Sequence, residues 1–411
     1  MPIRPLRPFR LGAALAATAV VAIALVGCVP NTVTASSSLT VKMTDDGCDV
    51  SAATAPSGNV AFKLTNAGSD VIEFEILADD KLRIVGEKEN VTPGQTVSLV
   101  AQLEPGGYYT GCKFQQVGAP VGLAAFTVTG GTVAVNESTK KLTAQAVTNY
   151  ISYLKSQAGE LLPAATTFAD AYMSGDDDTA RSLFASTRAY YERIEPTAEA
   201  FGDLDPKIDY REVDAAADGL SWTGFHRIEK DLWPPAAGAL NANGASATLG
   251  WTPSSAAQRK VFGQGLVDDV RKLSELVTAK DFSVTLADIS NGAIGLLDEV
   301  AASKITGEED WWSHTDLSDF AANVQGAQVA FGNVEPIAVA QGAAGTKLVA
   351  SINKEFAALT ALLAGYGSLD KGFVSYDQVT DEQRKQLSDQ VNALAEPLSQ
   401  LTHTALGVAS E

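Results

Sequence analysis

Residues Trp222–Trp233 read WTGFHRIEKDLW. Phe225, Ile228 and Leu232 recur at helical spacing between the two tryptophans, and Pro234-Pro235 then stops the helix. On that helix His226 and Glu229 stand three residues apart, which puts their Cβ atoms on one face about 5–6 Å from each other. An imidazole and a carboxylate so placed can grip one metal ion. Di-iron bundles use the same device in reverse order, with an inward Glu-x-x-His on a helix. A buried histidine in an ion pair with its helix neighbour has the same spelling, so the tetrapeptide alone leaves both readings open.

The surrounding words narrow the choice. Residues 187–212 read TRAYYERIEPTAEAFGDLDPKIDYRE, TGFHRIEKDLW follows, and residues 295–327 read GLLDEVAASKITGEEDWWSHTDLSDFAANVQGA. Together they resemble the EfeO branch of the imelysin-like family, from about Lys140 to the C-terminus. That resemblance implies an extracytoplasmic all-helical domain with an H-x-x-E metal motif, tied to iron uptake.

Outward from this centre, 411 residues suffice for two or three domains at about 150 residues each. Hydrophobic content of 45% supports a sizeable core. The net charge of -19 repels nucleic acid and anionic membranes, and concentrates cations.

Residues 1–27 read as a lipoprotein signal peptide. Arg4, Arg7 and Arg10 precede an apolar run, Leu11 to Val26, shorter than the ~20 residues a bilayer span needs. It ends in LVGC, which resembles the lipobox of bacterial lipoproteins and implies acylation of Cys28. Residues 28–38 then form a polar tether.

Residues 39–130 change period. LTVKMT, NVAFKLTNAG, IEFEIL, TVSLVAQL and AAFTVTG alternate, and PSG, NAGSD, TPGQ and EPGG separate them with turn chemistry. This predicts a small β-sandwich. The order CDVSAATAPSGNVAFKLTNAG, EFEIL, GEKENVTPGQ, LEPGGYYTGC is similar to the cupredoxin-type domain that precedes the helical domain in EfeO proteins. Blue copper needs two histidines and a cysteine, and no histidine precedes His226. What remains is Cys48, Cys112 and four carboxylates. Glu73 and Glu75 face one side of a strand, and Glu87 and Glu89 do likewise if GEKE is a strand rather than a loop. Cys48 and Cys112 read as a disulfide of an oxidising compartment or as two thiolates holding copper or another thiophilic ion.

After a linker at 131–141 the period becomes helical, and the resemblance implies that residues 142–409 are the imelysin-like domain. Helices are predicted over about 140–174, 178–200, 211–233, 255–279, 283–304, 315–342, 345–366 and 380–408. The fold class is therefore α+β multidomain: a cupredoxin-like sandwich followed by two tandem four-helix bundles. An internal echo, RIEPTAEAFG at 193–202 against NVEPIAVAQG at 333–342, suggests duplication.

Further ligands for His226 and Glu229 are sought by reach. Glu192 and Glu195 lie on the preceding antiparallel helix and Asp268 on the following one. Glu309 belongs to the GEED segment (Glu308, Glu309, Asp310), with His314 and Asp316 beyond it. Glu212 and Asp214 sit about 21 and 18 Å from His226 along a straight helix, and join only if it breaks at Gly219 or Gly224.

Oxygen ligands with imidazole suit iron, manganese or zinc rather than copper(I). The expected function is an extracytoplasmic, lipid-anchored iron-binding protein of an EfeUOB-type uptake system. The resemblance further implies a membrane iron permease and a haem-peroxidase-type partner, with copper-assisted redox in the β-domain. The alternatives are a zinc metallopeptidase, against which HExxH is absent, and a helical adhesion or polysaccharide module with structural metal. Binding is expected to weaken below pH about 6.5, where a free imidazole protonates.

Overall fold

The computed structural model describes residues 37–115, 117–131 and 139–408. The signal segment 1–27, Cys28, and most of the tether and linker lie outside the described residues.

Nine strands come first: β1 (Ser37–Thr44), β2 (Gly47–Val50), β3 (Thr54–Pro56), β4 (Gly58–Asn66), β5 (Ile72–Leu77), β6 (Ile84–Val91), β7 (Thr96–Leu103), β8 (Gly106–Phe114) and β9 (Val117–Thr129). They form one sheet ordered β2-β1-β4-β7 and another ordered β3-β9-β8-β5-β6, the cupredoxin-like sandwich. Alternation fixes which side chains face inward: Val60, Phe62 and Leu64 of β4 enter the core with Phe74 and Phe126. Cys48 and Cys112 form a disulfide between β2 and β8, with Cα atoms 5.5 Å apart. No thiolate is left there to ligate copper.

Strand β5 breaks the alternation rule. All six of its residues are buried, because Ile72, Phe74 and Ile76 face the sandwich core while the opposite face, carrying Glu73 and Glu75, is covered too. GEKE is a strand, β6, and Glu87 stands opposite Glu75 in register.

The helices are α1 (Lys140–Ser174), α2 (Asp177–Glu192), α3 (Asp205–Ile208), α4 (Glu212–Ala217), α5 (Gly224–Leu232), α6 (Ala256–Thr278), α7 (Leu286–Ala302), α8 (Asp316–Ala340), α9 (Ala343–Leu363), α10 (Asp381–Leu398) and α11 (Leu401–Leu406). Helices α1, α2, α5 and α6 pack together, as do α7 to α10, and α8 also packs on α1 and α2, so one hydrophobic core runs through both groups. Ser255, Thr285 and Thr380 open α6, α7 and α10 with reciprocal capping boxes.

Three predicted helices are interrupted. The helix expected over 178–200 ends at Glu192 and gives way to a 3-10 segment, Glu195–Leu204, with Pro196 at its start and a kink at Gly202. The one expected over 211–233 breaks at Gly219 and Gly224, whose φ of 68° and 81° lie in the left-handed region. The last is divided after Pro397 into α10 and α11. The internal echo is not structural: its first copy falls mostly in the 3-10 segment, whereas its second runs along the last turns of α8 and just past its end.

The sandwich rests on the helices. Helix α7 packs against β6 and β7, the 3-10 segment against β6, and α4 against β9. Lys88 pairs with Asp298, and Asn291 donates to the Val100 carbonyl at 2.9 Å. Among the described residues no helix is long and apolar enough to cross a membrane.

Candidate metal centre

The position of His226 follows from how α5 begins. Gly224 sits so close to the Ile208 carbonyl that a Cβ there would stand 2.2 Å from its oxygen. Thr223 Oγ1 donates to the Lys207 carbonyl at 2.9 Å and Trp222 Nε1 to the Tyr210 carbonyl at 2.8 Å. These contacts fasten the start of α5 to residues 207–210, and so bring Asp209 to His226.

His226 is 2% exposed. Its Nδ1 lies 3.1 Å from Glu229 Oε2, and the other oxygen of Glu229 accepts from the backbone N–H of Trp312 at 3.0 Å and Ser313 at 2.7 Å. The second nitrogen, Nε2, has no hydrogen-bond partner although buried. It lies 3.4 Å from Glu309 Oε1 and 3.6 Å from Asp209 Oδ1. Asp310 Oδ1 stands 3.8 Å from Nδ1, also without a hydrogen bond. Two sets of ligand atoms thus lie close enough to hold one ion: Asp209, His226 and Glu309, and His226, Glu229 and Asp310. A crevice of about 20 Å³ opens beside them, lined by His226, Glu229, Trp222, Trp311 and Trp312, the room of roughly one water-sized body.

Buried carboxylates at this density need compensation. Arg188, wholly buried, contacts Asp209, Glu192 (2.6 Å), Asp319 (3.1 Å), Glu309 (3.4 Å) and Asp310 (3.5 Å). Lys304, equally buried, pairs with Glu195 and lies near Glu192, Glu299 and Glu309. Burial raises the Asp319 carboxyl to about 8 despite Arg188, and Asp316 to about 7. Burial works against the Glu309 carboxylate as well, but Lys304, His226 and Arg211 overcome it and hold its pKa well below the usual range. Desolvation and Arg188 press His226 toward its neutral form. The pull of Glu229, Glu309 and Asp209 outweighs them and holds its pKa at about 9. That moves the proton-competition window above the free-imidazole value of about 6.5.

The other expected ligands divide. Glu192 and Glu195 converge with Asp209 in a second carboxylate group, and Asn323 donates to both glutamates, at 2.9 Å and 2.6 Å. Glu309 joins His226 directly. Asp268 does not: it is exposed on α6 and paired with Arg271 at 2.6 Å. Glu212 pairs with Lys230 and Asp214 with Arg211, so the break in the predicted helix does not deliver them to the histidine. Asp316 accepts from the Asp310 N–H at 3.2 Å, supporting the GEED turn. Glu73, Glu87 and Glu89 form a separate group on the sandwich. Cys28 lies outside the described residues.

Sequence reasoning missed Asp209, Arg188, Lys304 and Asp319. Asp209 could have been sought in the segment DPKIDY, whose proline and two aspartates sit directly before the broken helix. Nothing in spacing marks a lone arginine as the hub of five carboxylates.

A mainly helical domain with a buried histidine–carboxylate centre, carried behind a cupredoxin-like sandwich, defines the class. The chain belongs to the imelysin family (peptidase M75), which it matches over residues 146–401, and residues 16–122 match the cupredoxin-like domain. It is 35% identical to the iron uptake system component EfeO of Escherichia coli K12, over 88% of this chain and 89% of that protein. The EfeO proteins of Shigella flexneri and Shigella sonnei show the same identity and coverage. A solved structure from Parabacteroides distasonis covers 65% of this chain and 94% of its own at 16% identity. Its TM-score is 0.39.

Proposed function

We propose that this chain is the extracytoplasmic, lipid-anchored iron-binding component of an EfeUOB-type uptake system, holding iron at His226 for a membrane permease. The observation that carries the reading is His226 itself, buried among Glu229, Asp209, Glu309 and Asp310 with one ring nitrogen free of any hydrogen bond. One imidazole with carboxylate oxygens suits iron, manganese or zinc. Among these, the similarity to proteins named as iron uptake system components favours iron as the cargo. Glu229, held by two backbone N–H groups, presents its other oxygen to the ion beside the imidazole. Arg188 and Lys304 keep the surplus carboxylates in place until the ion arrives. Acylation of Cys28 supplies the anchor, and a haem-peroxidase-type protein is the further partner.

The test is iron titration of the full chain and of His226→Ala and Glu229→Ala. Each variant loses a coordinating atom, so affinity falls by more than the 10–100-fold typical of residues that only support ligands. Iron bound as tightly by both variants as by the wild type places the site elsewhere.

A further inference from the structure

We propose that residues 236–250, between α5 and α6, form a strap over the entrance to the metal centre, and that an ion enters and leaves when this strap lifts. The inference rests on the reading of His226 and Glu229 as ligands.

Those two side chains are 2% and 1% exposed, so solvent does not reach them while the strap is down. The space they line is the crevice of about 20 Å³, and Asn241 and Ala242 of the strap form part of its wall with Trp311 and Trp312. One water-sized body fits there, whereas a divalent cation still carrying several waters needs more room. The wider cavity between the two domains, about 220 Å³, has Asp209 and Glu309 in its wall but neither His226 nor Glu229. The motif therefore opens toward the strap.

The strap is fastened at few points. Trp311 Nε1 donates to the Leu240 carbonyl at 2.9 Å, and Lys230 Nζ to Asn241 Oδ1 at 3.4 Å. Just beyond its end, Ser254 donates its N–H to Asp231 at 3.1 Å and accepts from Arg227 at 2.7 Å. Arg227, Lys230 and Asp231 all belong to α5, so the helix that presents His226 and Glu229 also holds the cover over them. Of the strap's residues Ala247 alone is buried, and Leu249 is 85% exposed. The tip folds on itself: the Asn241 N–H donates to the Ala245 carbonyl at 2.8 Å and the Ala247 N–H to the Ala239 carbonyl at 2.9 Å. A segment with its bonds turned inward and little apolar burial opens at low cost. Gly238 and Gly250, at φ 84° and 78°, stand at its two ends as hinges.

The experiment measures stopped-flow uptake and chelator-driven release of Mn2+, beside equilibrium titration, on the full chain. Because Ala239 and Ala247 are hydrogen-bonded to each other, two glycines can replace residues 240–246. This excised variant should take up and release Mn2+ about tenfold faster or more, with Kd changed less than about threefold, since a lid governs rates and supplies no ligand. Gly244→Ala sets a methyl group in open space at φ 77° and strains the closed tip. It should raise both rates about fivefold, the equivalent of ~1 kcal/mol. Gly94→Ala, equally strained on the sandwich at φ 80°, is the control and should leave both rates unchanged. Wild-type rates in the excised protein overturn the proposal and move the entrance to the cavity between the domains. Faster release without faster uptake overturns it too, because the strap would then be part of the site rather than its cover. Should the excised chain fail to fold, the two rates of Gly244→Ala decide. His226→Ala keeps the readings apart: Mn2+ held there as tightly as in the wild type dismisses the metal centre itself, whereas Mn2+ lost there, with rates indifferent to the strap, dismisses the strap alone.

Discussion

Replacing Arg188 with methionine removes the guanidinium while keeping most of its volume. Five carboxylates contact that group, and Arg188, Glu192, Asp310 and Asp319 are wholly buried. Removing one partner of a buried ion pair destabilises by about 3–5 kcal/mol, because the remaining charge stays uncompensated. With ~2.1 cal/mol/K per residue of unfolding entropy, a helical domain of this size should melt about 5–9 °C lower. The carboxylates can relieve the strain by protonating, so the deficit grows as pH rises and shrinks toward pH 5. A bound divalent ion supplies the missing charge and should narrow the gap. The assay is thermal melting by circular dichroism with and without Mn2+. Lys385→Met is the control, since the Lys385–Asp389 pair is solvent-exposed and of small effect. An Arg188→Met protein melting with the Lys385→Met control would refute the view that Arg188 neutralises the centre.

Three further outcomes are expected. Because the folded-state pKa of His226 is raised to about 9, its proton stabilises the metal-free fold fully below about 6.5, and this is lost as pH rises through 9. Metal affinity runs the opposite way and should keep increasing above pH 7; calorimetric affinities that level off at pH 7 contradict it. Cys48→Ala with Cys112→Ala opens a loop of 64 residues, which should cost about 4 kcal/mol in the chain-entropy account and appear as a lower denaturant midpoint. Gly224→Ala combines a strained φ of 81° with a collision on the Ile208 carbonyl. It should destabilise by about 1–3 kcal/mol or more and weaken iron binding, whereas unchanged melting and affinity would show that this contact does not position His226.

The sequence alone determined the two-part architecture, since period two and period 3.6 are local consequences of backbone geometry. It also determined the pairing of His226 with Glu229, because three residues on a helix is a fixed distance. The candidacy of Glu192 and Glu309 was legible from which neighbouring segments could reach His226. Tertiary structure decided the rest. Asp209 reaches His226 only because Gly224 lets α5 start against residues 207–210. Arg188 gathers five carboxylates from segments as distant as Glu192 and Asp319, and no local pattern encodes a convergence of that range. Asp268 shows the converse: a carboxylate on the following helix faces solvent because packing, not reach, sets the rotation of α6. Glu73 and Glu75 read as one face of an ordinary strand, yet the docking of a second domain buries that face and puts Glu73 in the wall of a cavity. Local spacing is written in the chain, whereas the charges that meet across a cavity are chosen by how its elements close on one another.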